Sequence, residues 1–172
     1  LSVPNSILLL KAGRLNDNFV KQKVIDRFKR QGIPEKRLKL YGPISNDRDH
    51  LLFYDRIDIA LDTFPYNGTT TTFEALWMGV PVISMEMDRH ASRVGKSILT
   101  RLELNNFVAS SVDFYVEIAV SLSLDIAQIS SLKKELRLKM EASSLCDGEK
   151  FANNFEKALE QGWTLLRGRS SK

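Results

Sequence analysis

The sequence predicts an α/β domain built on a parallel sheet, and three observations carry that prediction. Short apolar runs alternate with helix-period segments over residues 1–110; the runs are nearly continuous rather than alternating, as in strands covered on both faces; and Gly or Pro marks most of the junctions. Such an order closes as right-handed βαβ units.

The first strand falls at Ser6–Leu10, a short apolar run expected to be buried and parallel. From Asn16 to Gln31 the positions Phe19, Val24, Ile25 and Phe28 keep helical spacing, with Asn16 or Asp17 as cap and Gly32 and Pro34 as stop. Leu38–Tyr41 is the second strand, ended by Gly42-Pro43, and a short helix over Asp47–Tyr54 follows. Ile57–Leu61 is the third strand. A helix over Thr70–Met78 ends at Gly79, and Val80–Ser84 is the fourth strand. A helix over His90–Leu102 and a short strand at Phe107–Ala109 complete the α/β part. The helical tail, residues 111–172, holds helices near Val112–Leu122, Gln128–Glu141 and Gly148–Leu166, expected to lie back on the sheet or to reach toward a neighbouring domain.

The 172 residues are 43% hydrophobic and 27% charged, enough for one globular domain that buries roughly 70% of its unfolded surface. The net charge of +4 is small and owes part of its value to Arg167, Arg169 and Lys172, so nucleic acid is not an expected partner. Cys146 is the only cysteine, which excludes an intrachain disulfide and a cysteine zinc cluster and suits a reducing, cytoplasmic setting. No apolar run reaches the roughly 18 residues of a membrane helix, and no signal peptide is evident. The chain begins with Leu1 and enters a strand almost at once, which suggests a fragment of a longer polypeptide.

In an open parallel sheet, ligands bind beyond the carboxyl ends of the strands. The loop after the third strand, Asp62-Thr-Phe-Pro-Tyr-Asn-Gly68, leads there into four threonines that open a helix. Asn67-Gly68 is read as a backbone turn few residues allow. β-Branched residues are poor inside a helix, but at its first turn their hydroxyls can cap, and the free N–H groups attract a phosphate. On the helical wheel Phe73, Leu76 and Trp77 form the buried stripe, while Thr70, Thr71 and Glu74 share another face. The hydroxyls can meet phosphate oxygens and the Glu74 carboxylate a sugar diol, since a carboxylate aimed at the diphosphate would repel it. That division suggests a nucleotide; the plainer reading is a capped helix in a Thr-rich turn, with Glu74 favoured by the helix dipole. Asn67-Gly-Thr69 also fits a glycosylation acceptor, which carries little weight without a secretory signal.

The run from Asp62 to Val82, followed by Arg89-His-Ala-Ser-Arg-Val-Gly95, closely resembles the C-terminal catalytic lobe of the SPINDLY and O-linked N-acetylglucosamine transferase family; Val3-Pro-Asn-Ser6 and Ser143-Ser-Leu-Cys-Asp-Gly148 are similar too. The resemblance implies a Rossmann-like lobe of a two-lobed GT-B glycosyltransferase. It implies a nucleotide sugar as substrate, no cofactor, no metal and no membrane, and Ser or Thr hydroxyls of an acceptor protein as the target. The partners it implies within the parent chain are an N-terminal catalytic lobe, which carries a donor-binding lysine, and tetratricopeptide repeats. It places Thr69, Thr70 and Thr71 at the diphosphate, Glu74 at the ribose and His50 beside base and ribose, with transfer by inversion and the catalytic groups largely in the other lobe. Animal members carry histidine where this chain has Thr69 and aspartate where it has Glu74; the Thr-rich form is more like plant SPINDLY proteins. Because those use GDP-fucose, the implied donor is UDP-N-acetylglucosamine or GDP-fucose.

His50, near the carboxyl end of the second strand, can stack on a base or donate to a ribose or phosphate oxygen; the alternative is a surface helix histidine. Ser45, in Pro43-Ile-Ser45, and Gly68 are further candidates. His90 and Arg93 can assist at the pyrophosphate or the sugar, or can be a cap-region residue and a salt-bridge partner. Lys11, at the end of the first strand, can face the cleft, with a solvated lysine as the default; Asp62 is expected to brace the loop, and Met78, Met85, Met87 and Trp77 to be core. Two other functions suit the same fold: a binding or scaffold module that uses its helical tail, and a glycosyltransferase acting on a small-molecule acceptor.

Overall fold

The computed structural model describes residues 2–169, with side chains through Arg167; Leu1 and Lys172 lie outside the described residues. β1 (Leu8–Lys11) pairs in parallel with β2 (Leu38–Tyr41), Leu8 opposite Leu38 and Lys11 opposite Tyr41. β3 (Ala60–Leu61), β4 (Val82–Met85) and β5 (Val108–Ala109) form a second parallel sheet in the order β3-β4-β5. The α/β class with parallel strands flanked by helices is as read from the sequence, but the strands form two sheets, because no ladder joins β1 to β3.

The helices are α1 (Asn18–Arg30), α2 (Asp47–Leu52), α3 (Thr70–Trp77), α4 (Val94–Arg101), α5 (Val112–Leu124), α6 (Ile126–Glu141) and α7 (Gly148–Arg169). Their starts are written in short polar side chains. Asp17 accepts from the N–H groups of Phe19 and Val20, Asn46 from Asp49, Ser111 from Phe114 and Asp125 from Gln128. The single helix expected over 90–102 is a 3-10 turn at His90–Ser92 followed by α4, since Ser92 closes the turn by bonding both the N–H and the carbonyl of Arg89.

The core is centred on β4. Leu76, Val80, Val82, Ile83, Leu99 and Leu136 are essentially inaccessible, with α3, α4, α5 and α6 supplying the cover. Each such side chain stabilises the fold by about 1.5–3 kcal/mol relative to exposure. The buried stripe of α3 is Thr72, Ala75 and Leu76, not Phe73, Leu76 and Trp77; Phe73 and Trp77 are half-buried at its edges. Gly79 follows α3 with φ +79°, its N–H bonded to the carbonyl of Leu76 and that of Val80 to Ala75, the pattern of a Schellman cap. A Cβ there would lie 2.5 Å from the carbonyl oxygen of Lys133 on α6, so the same glycine seats the two helices against each other.

Three expectations about burial change. β1 is half-buried rather than fully covered, because α1 buries none of its own side chains and leaves Phe19 exposed. Met85 is core and Met78 borders it, but Met87 is exposed beyond the end of β4. In the helical tail, α5 and α6 pack on the core, whereas α7 leaves Phe151, Phe155, Leu159 and Trp163 all more than half exposed, an apolar stripe at intervals of four. Among the described residues, no helix is long and apolar enough to cross a membrane.

Candidate functional site

Residues 62–69 carry the chain from β3 to α3 over a framework that is almost entirely buried. Asp62 does brace the loop: one carboxylate oxygen accepts from the N–H of Gly68 at 2.7 Å, and the other from the hydroxyl of Ser84 at 2.6 Å. Burial pushes its carboxyl above the usual range, and the bonds from Ser84, Gly68 and Thr63 pull the other way. The hydroxyl of Tyr115, on α5, donates to the Asp62 carbonyl at 2.8 Å.

Asn67 is not a turn residue with left-handed backbone; neither it nor Gly68 has a positive φ. Its side chain, 1% exposed, is a bridge: Nδ2 donates to the Thr63 carbonyl at 3.0 Å and Oδ1 accepts from the N–H of Gly95 at 3.3 Å. Gly68 is needed for room, because a Cβ would sit 2.4 Å from the Thr71 hydroxyl and 3.1 Å from that of Thr72. Burial also removes Asn67 from consideration as a glycosylation acceptor.

The loop delivers Thr69, Thr70 and Thr71 to the surface at the start of α3. Their hydroxyls do not cap the helix. Thr69 occupies the cap position with helical backbone, φ −112° and ψ −73°, instead of the extended conformation from which a side chain reaches back. Thr72, by contrast, is buried and returns its hydroxyl to the Gly68 carbonyl at 3.0 Å. Thr69, Thr70 and Thr71 are therefore exposed beside the N–H groups that a helix leaves unpaired at its amino end, with the Thr71 hydroxyl close against Gly68.

One turn further along α3, Glu74 meets two groups from the preceding segment. His50, on α2, places Nε2 2.9 Å from Glu74 Oε2, and the Tyr54 hydroxyl donates to the same oxygen at 3.0 Å. His50 Nδ1 lies 2.6 Å from the amine of Lys11 at the end of β1. The His50 and Glu74 side chains keep about a quarter of their surface open, at 25% and 24%. Burial raises the Tyr54 hydroxyl pKa, and the Glu74 carboxylate adds to the rise, so Tyr54 remains a donor. The plainer reading of His50 as a free surface residue and of Lys11 as solvated gives way to a polar cluster that joins β1, α2 and α3.

A groove of about 560 Å³ runs beside the threonines, lined by Thr69, Phe73, His90, Arg93, Val94 and Ser97 among others. His90 and Arg93 thus share a wall with Thr69. Arg93 is not a salt-bridge partner: its guanidinium donates to the Asp88 carbonyl at 2.8 Å. Ser45 lies exposed on the loop before α2 and has no side-chain bond to the cluster. Tyr54 is the group that sequence reading missed; it stands four residues after His50, a spacing that on a helical turn puts both on one side.

The sequence profile of Glycosyl transferase family 41 matches residues 1–155. This chain belongs to glycosyl transferase family 41. The family 41 chain is 40% identical over 162 residues to a probable UDP-N-acetylglucosamine–peptide N-acetylglucosaminyltransferase SPINDLY of Hordeum vulgare, and 41% identical to that of Solanum lycopersicum. A UDP-N-acetylglucosamine–peptide N-acetylglucosaminyltransferase of Caenorhabditis elegans is 29% identical over 163 residues. These matches cover 94% of the family 41 chain but only 17%, 17% and 14% of the relatives. A mutant of the Thermobaculum terrenum O-GlcNAc transferase superposes with a TM-score of 0.87 at 34% identity, over 93% of this chain and 31% of that one.

Proposed function

We propose that this chain is the donor-binding lobe of a protein O-glycosyltransferase, and that the amino end of α3 holds the diphosphate of a nucleotide sugar. The observation that carries the reading is the exposure of Thr69, Thr70 and Thr71, whose hydroxyls neither cap the helix nor bond a described residue, one turn from a carboxylate fixed beside a histidine. Phosphate oxygens would accept from those hydroxyls and from the helix N–H groups, where the dipole favours negative charge. Glu74 Oε1, which carries no intramolecular bond, would accept from the ribose diol, with His50 held against the other oxygen of the same carboxylate. Stabilising the departing diphosphate at this helix end lowers the barrier as an acceptor hydroxyl attacks the anomeric carbon with inversion, without a metal.

The relatives named as UDP-N-acetylglucosamine–peptide N-acetylglucosaminyltransferases support UDP-N-acetylglucosamine as donor and a peptide as acceptor; a Ser or Thr hydroxyl is the acceptor group we propose. GDP-fucose is the second candidate, since nothing in the Thr69–Glu74 constellation selects a base. The other catalytic lobe and the tetratricopeptide repeats would lie in the larger part of the protein that the relatives have beyond this region, and the open stripe of α7 is apolar surface such a neighbour can cover.

Nucleotide titration followed by thermal unfolding tests the reading. UDP or GDP at about 100 times its Kd is expected to stabilise the chain by about 2.7 kcal/mol, roughly 5–10 °C at this size. No shift with either diphosphate at millimolar concentration contradicts it.

A further inference from the structure

Lys11 belongs to none of the elements that present the threonines, yet its amine makes a short side-chain contact in the cluster, 2.6 Å from His50 Nδ1. A lysine ammonium has three donors and no lone pair, so Nδ1 must be the acceptor. The ring then has a single proton, on Nε2, and that nitrogen faces Glu74 Oε2 at 2.9 Å. The reverse arrangement, with the proton on Nδ1, would set two lone pairs against each other at Nε2. Burial lowers the Lys11 amine and the Glu74 carboxylate opposes that effect.

The chain of donors runs one way. Lys11 gives to His50, His50 gives to Glu74 Oε2, and the Tyr54 hydroxyl gives to the same oxygen at 3.0 Å. Glu74 is left with one oxygen saturated and the other open. Beside the cluster stand the Phe53 ring, whose centroid is 5.4 Å from the Lys11 amine, and Arg56 over the same ring at 5.5 Å.

We propose that Lys11 is a positioning residue for nucleotide binding: by donating to Nδ1 it fixes His50 as the Nε2–H tautomer, which clamps Glu74 so that Oε1 is presented to the sugar diol. The proposal rests on the donor-binding reading above. It also gives Lys11 a second effect, a positive charge within two side chains of Glu74 that offsets a carboxylate held close to a bound anion.

The test combines imidazole ¹⁵N spectra of the chain with UDP and GDP titrations. There are two histidines, and a His50→Gln variant assigns the signal. The expected result is a single Nε2–H tautomer for His50 at neutral pH without nucleotide. In Lys11→Met the tautomers mix and the Kd rises about tenfold, and Lys11→Arg restores both readouts. An Nδ1–H ring in the unsubstituted chain, or nucleotide binding by Lys11→Met as tight as the unsubstituted chain's, overturns the role of Lys11 while the donor-binding reading stands. Failure of the unsubstituted chain to bind either nucleotide, whatever its tautomer, overturns both.

Discussion

Truncating Glu74 to alanine is expected to weaken binding of UDP or GDP by about 10- to 100-fold, the range for losing a hydrogen bond to a charged group. His50 Nε2 loses its acceptor and the Tyr54 hydroxyl keeps only the Thr71 carbonyl at 3.4 Å, so the ligand-free protein is also less stable, by about 1–3 kcal/mol. Glu74→Gln keeps an acceptor oxygen without the charge and should fall between the two in affinity. Calorimetric titration of the three proteins checks the order, and equal dissociation constants for alanine and glutamate would remove Glu74 from the site.

The second large effect is structural and lies below the threonines. Gly95 lies in the first turn of α4 in a space with no room for a side chain, where a Cβ would stand 2.0 Å from the Ser84 hydroxyl and 2.7 Å from Asp62 Oδ2. Gly95→Ala must therefore break the Ser84–Asp62 bond or move α4 away, and either change loosens the Asp62 contact with Gly68. Overpacking of this kind costs about 3 kcal/mol, or roughly 6–12 °C in Tm for a domain of this length. Because Asp62 and Asn67 together set where α3 begins, nucleotide affinity should fall in the same variant. A melting curve within 2 °C of the parent, on the order of the effect of 1 kcal/mol, would show that the loop framework yields more easily than its geometry implies.

Much of the α/β order was legible because its signals are local. Asp17 and Ser111 cap the helices they precede, Gly32 and Gly79 adopt the left-handed conformation that ends a helix, and the apolar runs at residues 38–41 and 82–84 lie in strands. The candidate site was legible where its residues share one helix: spacing alone puts Thr70, Thr71 and Glu74 on the first turns of α3. What could not be read are the contacts made across long stretches of chain. Lys11 and His50 are 39 residues apart, and Tyr54 and Glu74 are 20 apart, so a strand-end lysine looks solvated until β1 and β2 are laid side by side.

Asn67-Gly68 shows a different limit. The pair is a strong turn signal, but here each residue answers to packing: the asparagine to donors and acceptors from Thr63 and Gly95, the glycine to the crowd of threonine hydroxyls. The half-buried state of β1 and the open stripe of α7 likewise depend on what covers them, which no pattern within the strand or the helix encodes.

The claim on which the account depends is that a diphosphate docks at the amino end of α3. Backbone amide spectra recorded with UDP and GDP, and again with uridine and guanosine, test it most directly. The matching diphosphate is expected to displace the amide signals of Thr70, Thr71 and Thr72, and the nucleoside without phosphates to leave them in place. Displacements confined to another face of the chain, or the same response to nucleoside and diphosphate, would contradict it.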